Sequence, residues 1–351
     1  MPMVSMSNDK KDFLSEITVI IFSRNRPAEL IRSIRYWSNL KIKCLVLDNS
    51  PNKLVEIPLD PQISYLYCPN LNFSQRALIA SEFITNKYSI VCSDDERYTP
   101  SALEAMLKEL NSNSEILSVG GHAIAVGTYG PHIYANFAYS HMQHYENLES
   151  NNLNRLKKHF GAEEIMWPIG AMYRIIRSES MKKLLAIFYR CQSITTPYIY
   201  EVTSEIVITA LGKSRYLDFI FWIRNWQTPA INHADWNRKL LFSEWWENNK
   251  YVDEKVRWVD TLTQEIFPTQ SSEETKKIFD LIVILRKTTE KLPVADSNFS
   301  IKNDYIKYFF RKIFAPKSLP KKVGEILLST SRLGVVYDLN EVEFAIDSVL
   351  K

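Results

Sequence analysis

Four times in its first 110 residues the chain runs a short apolar segment into a polar cluster, and a helical pattern follows three of them. Ile17 to Phe22 (ITVIIF) is a continuous, largely β-branched run, of the kind buried on both faces of a parallel sheet. The polar turn SRNR follows it. Pro27 suits a first helical turn, and Leu30, Ile31, Ile34 and Trp37 recur at helical spacing. Lys43 to Leu47 (KCLVL) ends in the turn cluster Asp48-Asn49-Ser50-Pro51. Ile63 to Cys68 reads as a third strand, followed by a helix from about Ser74 to Thr85. A fourth strand, Ser89 to Cys92, runs straight into SDDE, and a helix over Pro100 to Leu110 follows. Such alternation predicts an α/β fold with a mostly parallel central sheet and helices on both faces. Ligands of such sheets lie beyond the carboxyl ends of the strands. The polar clusters at Ser23–Arg26, Asp48–Ser50 and Ser93–Glu96 all fall there, which marks that edge as the candidate site.

The rest of the chain is less regular. From about Gly120 to Lys157 it is rich in His, Tyr, Asn and Gly without clear periodicity, and reads as an irregular excursion over the sheet. In MWPIGAMYRIIR a strand is expected through Ala171–Ile175, then a helix from Ser178 with Met181, Leu184, Leu185 and Phe188 along one face. Residues 202–211 read as helix and Ser214 to Trp226 as an aromatic-rich strand. Beyond about residue 238 helices with acidic and basic faces predominate. The expected division is therefore a transferase-type domain over 1–240 and a helical C-terminal extension over 241–351. Within the extension, residues 301–323 combine five aromatic residues with many lysines. That composition suits either a surface helix at an anionic membrane face or a packed helix with solvated lysines.

Bulk properties narrow the class. A net charge of +3 is too small to imply nucleic-acid binding, so no nucleic-acid partner is expected. The 46% apolar and 24% charged composition is that of a folded domain. Cys44, Cys68, Cys92 and Cys191 lack metal-type spacing, and Cys44 and Cys92 sit in strand-like runs, so a reduced, cytoplasmic protein is expected. The polar N-terminus has no signal-like core, and no stretch is apolar enough to span a membrane. Any membrane contact is expected to be peripheral, at the inner face. With only nine glycines, no phosphate-cradling Gly-rich loop is visible, which disfavours P-loop and dinucleotide readings.

The densest chemical signal is Asp94-Asp95-Glu96 at a strand end. Clustered carboxylates repel one another, and a divalent cation relieves the repulsion; oxygen ligands suit magnesium or manganese. The plainer alternative is a solvated acidic turn that complements the dipole of the next helix.

Around these residues the chain resembles the GT-A-fold glycosyltransferases, close to family two, which build bacterial surface polysaccharides. ITVIIFSRNRPAELIRSIRYW is similar to their first strand, Arg-Pro turn and helix, and IKCLVLDNS to their second strand. NFSQRAL resembles a helix lining the nucleotide, and SDDERYTPSALEAM the metal motif with its following Pro and helix. The resemblance covers about residues 16–235, most closely the first 110. It implies a nucleotide-sugar donor and a glycan or polyprenyl-linked acceptor. Asp48 would then bind the base and ribose, and Arg24, Arg26, Arg76 and Asp94 would lie on the donor side. Asp95 would ligate the metal, with Glu96 beside it and His233 reaching the metal or diphosphate. The D-x-D register stays open, because its first Asp falls either on Ser93 or, shifted by one, on Asp94. An inverting enzyme also needs a base for the acceptor hydroxyl. Glu205, with Glu201 second, lies in the matching segment after Trp167-Pro168-Ile169-Gly170. Two alternatives remain: a non-catalytic nucleotide- or glycan-binding module of the same fold, and a sugar-phosphate nucleotidyltransferase, whose Gly-rich loop the chain lacks.

Overall fold

The structure, a computed structural model, describes residues 13–55, 57, 60–129, 132–138, 146–161, 170–225, 227, 240–266, 271, 273–277, 279–280, 282–283, 321–322, 327 and 334–350. Strand β1 (Ile17–Ser23) lies between β2 (Lys43–Asp48) and β4 (Tyr88–Cys92), parallel to both, and β3 (Ile63–Tyr67) extends β2 in the same direction. The β-branched run is buried on both faces, and its side chains alternate between two cores. Ile17, Val19 and Ile21 enter one core and Ile20 the other; Cys44 and Val46 are likewise separated from Leu45 and Leu47 on β2.

Each core is closed by helices. On one face lie α1 (Pro27–Asn39), through Leu30, Ile34 and Trp37, and α3 (Pro100–Ser112), through Leu103, Met106, Leu107 and Leu110. On the other lie α2 (Phe73–Phe83), with Ala77 and Ala80, α5 (Ser178–Arg190), with Met181, Leu184, Leu185 and Phe188, and α6 (Ile199–Leu211), with Val202 and Ile206. Pro27 and Pro100 open α1 and α3 at a position where the missing N–H costs nothing.

The second half of the sheet is mixed. With β6 (Ile116–Tyr129), β7 (His132–Ala138), β8 (Ile175–Arg177) and β10 (Lys321–Lys322), the sheet order is β10-β7-β6-β8-β4-β1-β2-β3, and β8 is antiparallel to both β4 and β6. Strand β9 (Lys213–Asn225) runs parallel to β6, and its far end pairs antiparallel with the short β5 (Glu96–Tyr98). The parallel arrangement expected from the sequence thus holds for β1–β4 and gives way beyond them.

Two expectations about individual segments are corrected. The described residues between Gly120 and Lys157 are largely regular: β6 pairs antiparallel with β7 (His132–Ala138), and α4 (Asn152–Gly161) follows later. Their period was hidden by glycines. A Cβ on Gly121 would stand 2.8 Å from Met106 Cε and 2.9 Å from the Phe219 carbonyl oxygen, so an apolar marker cannot occupy that position. The ladder with β9 also shifts register between Gly120 and His122. The expected strand at Ala171–Ile175 starts as a 3₁₀ turn, Ala171–Tyr173, and becomes strand only at Ile175. The segment beyond residue 240 shares both cores of the sheet. Phe242 of α7 (Phe242–Glu247) and Trp258 and Leu262 of α8 (Val252–Ile266) join the α5–α6 side. The last helix, α9 (Leu339–Leu350), places Val342, Ala345, Ile346 and Val349 on the α1 side. Of residues 301–323, only Lys321–Lys322 are described, as β10 on the edge of β7; the rest of that basic, aromatic stretch lies outside the described residues. No described helix is long and apolar enough to cross a membrane.

Gly121→Ala is expected to destabilise the protein by about 1–3 kcal/mol, because the new methyl meets backbone as well as the flexible Met106. Denaturant unfolding reads this directly, and an unchanged midpoint would show that the strand does not approach its neighbours so closely.

Candidate functional site

The parallel registers bring the ends of β1, β2, β3 and β4 to one edge. Beyond β1, Asn25 adopts a left-handed backbone (φ 57°), which asparagine tolerates, and its N–H donates to Ser50 Oγ at 2.9 Å. The Asp48 carboxylate is fully buried. Its Oδ1 accepts from the Ser50 N–H at 2.9 Å and from Ser50 Oγ, and its Oδ2 accepts from the Tyr65 hydroxyl at 2.7 Å. Asp48 therefore shapes the loop after β2, with both of its oxygens engaged within the protein. Arg76 is buried too: Nη1 donates to the carbonyl oxygens of Ser23 (3.0 Å) and Leu47 (2.9 Å), clamping the ends of β1 and β2, and burial lowers its pKa to about 10. Arg24 is exposed at the mouth of the edge.

Between these turns lies a cleft of about 470 Å³ lined by Arg24, Asn49, Ser50, Pro51 and residues 69–72. Its far wall is the start of α2. Asn72 caps that helix, accepting from the Gln75 N–H at 2.9 Å while the Gln75 side chain accepts from the Asn72 N–H at 2.9 Å. The lining mixes amide and hydroxyl groups with the flat apolar surfaces of Pro51, Pro69 and Leu71.

The acidic run sits next along the edge. Asp94 is 2% exposed; its Oδ2 accepts from Ser23 Oγ at 2.7 Å and its Oδ1 pairs with Arg26 Nη1 at 2.9 Å. Burial raises the Asp94 pKa to about 6, although Arg26 and Ser23 oppose the shift. Asp95, 13% exposed, pairs with Arg26 Nη2 at 2.8 Å, and its carbonyl oxygen accepts from the Asn225 N–H at 3.1 Å. Glu96 lies on β5, buried opposite Arg224. It accepts from the Ser93 N–H at 3.2 Å and stands 3.9 Å from Arg224 Nε, and burial lifts its pKa to about 7. Among the described residues no three His, Cys, Asp or Glu side chains are grouped to hold a metal ion. Of the residues expected around a magnesium or manganese ion, Asp94 and Asp95 are paired with Arg26, Glu96 faces the Ser93 N–H and Arg224, and His233 lies outside the described residues.

Behind this run, Arg97 is fully buried. Its Nη1 donates to the carbonyl oxygens of Asp94 (3.0 Å) and Glu96, and its Nε donates to Ser348 Oγ of α9 at 2.7 Å. The C-terminal helix thus braces the acidic turn.

Glu205 lies in α6, 1% exposed. Its Oε1 accepts from the N–H groups of Gly170 and Ala171, both at 2.8 Å, and its Oε2 pairs with His159 Nε2 at 2.9 Å. A base must come within hydrogen-bonding reach of the proton it removes. In this arrangement both oxygens of Glu205 are engaged within the protein, and Oε1 holds the turn at Gly170, whose φ of 128° favours glycine. That turn leads through Tyr173, stacked on Trp222 at 4.7 Å, into β8 beside β4. Glu201 is half-buried in the first turn of α6. His233 and residues 167–169 lie outside the described residues. Trp245 is a core residue, fully buried, its Nε1 donating to Glu254 at 2.8 Å.

Sequence reasoning did not single out Ser23 beyond its cluster, nor Tyr65, His159, Arg97, Arg224 or Ser348. The side chains they pair with are 17 to 251 residues away in the chain. Spacing alone carried no signal for them, although Arg97 directly follows the acidic run.

No protein-family model matches the sequence, and no curated protein matches it. Solved structures do show similarity. The chain is similar to S. aureus TarS 1-349 at 10% identity and TM-score 0.47, over 84% of this chain and 78% of that one. It is also similar to the same fragment in complex with UDP-GlcNAc (11% identity, TM-score 0.40) and with UDP (12%, 0.38), each over 78% of this chain and 90% of that one. Identities and scores this low leave the functional reading to the chain's own geometry.

Glu205→Ala is expected to destabilise the protein by about 3 kcal/mol or more, since two buried backbone donors and His159 lose their acceptor. Glu205→Gln, which keeps an acceptor oxygen for the turn, is expected to cost less than half as much. Chemical denaturation of the two variants side by side checks this, and equal losses would contradict the hold of Oε1 on the turn.

Proposed function

We propose that the chain is a nucleotide-sugar-dependent glycosyltransferase of GT-A architecture, acting on a glycan or lipid-linked acceptor in surface-polysaccharide synthesis. The observation that carries the reading is the cleft at the carboxyl ends of β1–β3, continuous along the edge with the Asp94–Asp95 turn of β4. Its apolar patches suit a flat base, its amides and hydroxyls suit ribose and base edges, and Arg24 supplies positive charge at the mouth. A diphosphate leaving along the edge would gain charge as the sugar bond breaks, and fixed cations aimed at that charge are the most effective form of stabilisation. The reading thus gives donor binding to Arg24, Asn49, Ser50 and Asn72, with Asp48 and Arg76 holding the loops. Glu201 stays the remaining sequence candidate for the base. Peripheral contact with the inner membrane face through 301–323 belongs to the same proposal, as does a direct, inverting displacement.

One specific pair of observations favours a second reading, a non-catalytic nucleotide-binding module. Ser93 stands at one of the two possible D-x-D starts, and both oxygens of Glu205 are engaged by the protein. Turnover separates the two readings.

The test is thermal melting with UDP, GDP, CDP and ADP in turn. One of them should raise the Tm, because a ligand present at a hundredfold excess over its Kd stabilises the native state by about 2.7 kcal/mol. Arg24→Ala, an exposed change, should leave the Tm of the free protein unaltered and shrink the shift. No shift with any nucleotide would overturn the proposal. A shift without consumption of the matching sugar nucleotide would turn it to the non-catalytic reading.

A further inference from the structure

We infer that Arg26 takes the place of a divalent cation at this edge, so that the chain binds its nucleoside diphosphate without metal. The inference rests on the donor-site reading above and specifies how that site handles charge.

The guanidinium of Arg26 spans two neighbouring carboxylates, 2.9 Å from Asp94 and 2.8 Å from Asp95. A planar fork with fixed donors matches such a pair in a way a flexible ammonium does not. The remaining Asp94 oxygen is taken by Ser23 Oγ, and Glu96 is turned back to the Ser93 N–H and Arg224. A metal entering between Asp94 and Asp95 would have to break both ion pairs. It would also leave a partly buried guanidinium, only 14% exposed, facing a dication. Arg26 and a metal are thus alternatives for one position, and the fold has filled it with Arg26.

Arg26 Nε and Nη2 are buried and make no hydrogen bond among the described residues, so Arg26 meets Asp95 as a charge pair. Arg26 stands at the N-cap of α1, a thirteen-residue helix with no side-chain cap, so the positive end of the helix dipole lies at the same spot. Arg24, two residues earlier, lines the adjoining cleft. Arg24 lines the cleft itself, while Arg26 and the helix start lie beside it at the Asp94–Asp95 turn, where the carboxylates hold Arg26 in position.

The experiment is the melting assay above with the responding nucleotide, run in EDTA and in manganese chloride. A parallel titration of manganese alone is followed by the paramagnetic resonance signal of the free ion. The wild-type protein should show equal nucleotide shifts in both buffers and bind no stoichiometric manganese. Arg26→Ala leaves Asp94 and Asp95 unpaired, and should lose the shift in EDTA while gaining one equivalent of bound manganese. Arg26→Lys keeps a cation and should retain a reduced, metal-independent shift, which preserves the test if the alanine variant does not fold. A wild-type shift that appears only with manganese, or stoichiometric manganese on the wild-type protein, would overturn the inference and leave the donor-site reading standing. A shift in neither buffer would remove that reading, and this inference with it.

Discussion

The arrangement depends first on the burial of β1 between two parallel neighbours. Its side chains alternate between two separate cores, so a one-residue slip would exchange Ile20 with Val19 and Ile21 and disrupt both at once. That constraint fixes where β1 ends relative to β2 and β4. Ser23 is set against Asp48 by register, and Ser23 Oγ reaches Asp94 at the end of β4. The candidate site is a consequence of this alignment: three turns far apart in sequence share one edge because their strands cannot slide.

The edge then has a charge problem, which it handles with protein groups. Asp48, Asp94 and Glu96 are all buried, and a buried carboxylate persists only with donors around it. Ser50 and Tyr65 serve Asp48, Ser23 and Arg26 serve Asp94, and the Ser93 N–H with Arg224 serves Glu96. Arg97 and Arg76 work from behind, donating to backbone oxygens at the strand ends. The result is a rigid set of loops around a polar cleft, suited to holding a ligand with little rearrangement. The long reach of Arg97 to Ser348 also explains why the last helix belongs to the same folded unit as the first strand.

Much of this was legible in the sequence where the physics is local. ITVIIF and KCLVL announce buried parallel strands, Pro27 and Pro100 mark helix starts, and the polar clusters at strand ends locate the edge. The reading weakened where side chains stop reporting their environment. Gly120 and Gly121 sit in a long strand that sequence periodicity could not show, because close approach forbids the apolar residues that would mark it. The chemistry of individual residues was the least legible. Asp94, Asp95 and Glu96 look alike in a string of letters, yet one faces Ser23, one is partly exposed and paired with Arg26, and one is buried against β9. Glu205 occupies a base-like place in sequence, and only the fold reveals that Gly170 and Ala171 claim it. Arg26 was placed with the donor residues, but its role as the counter-ion of the acidic run needed three dimensions.

The most direct test of the central claim, that the β1–β4 edge is a nucleotide site, is amide hydrogen exchange with and without the nucleoside diphosphate. The account predicts new protection in peptides covering residues 23–26, 48–51, 69–72 and 93–96, with the α5–α8 side unchanged. Protection confined to other segments, or none at saturating nucleotide, would contradict it.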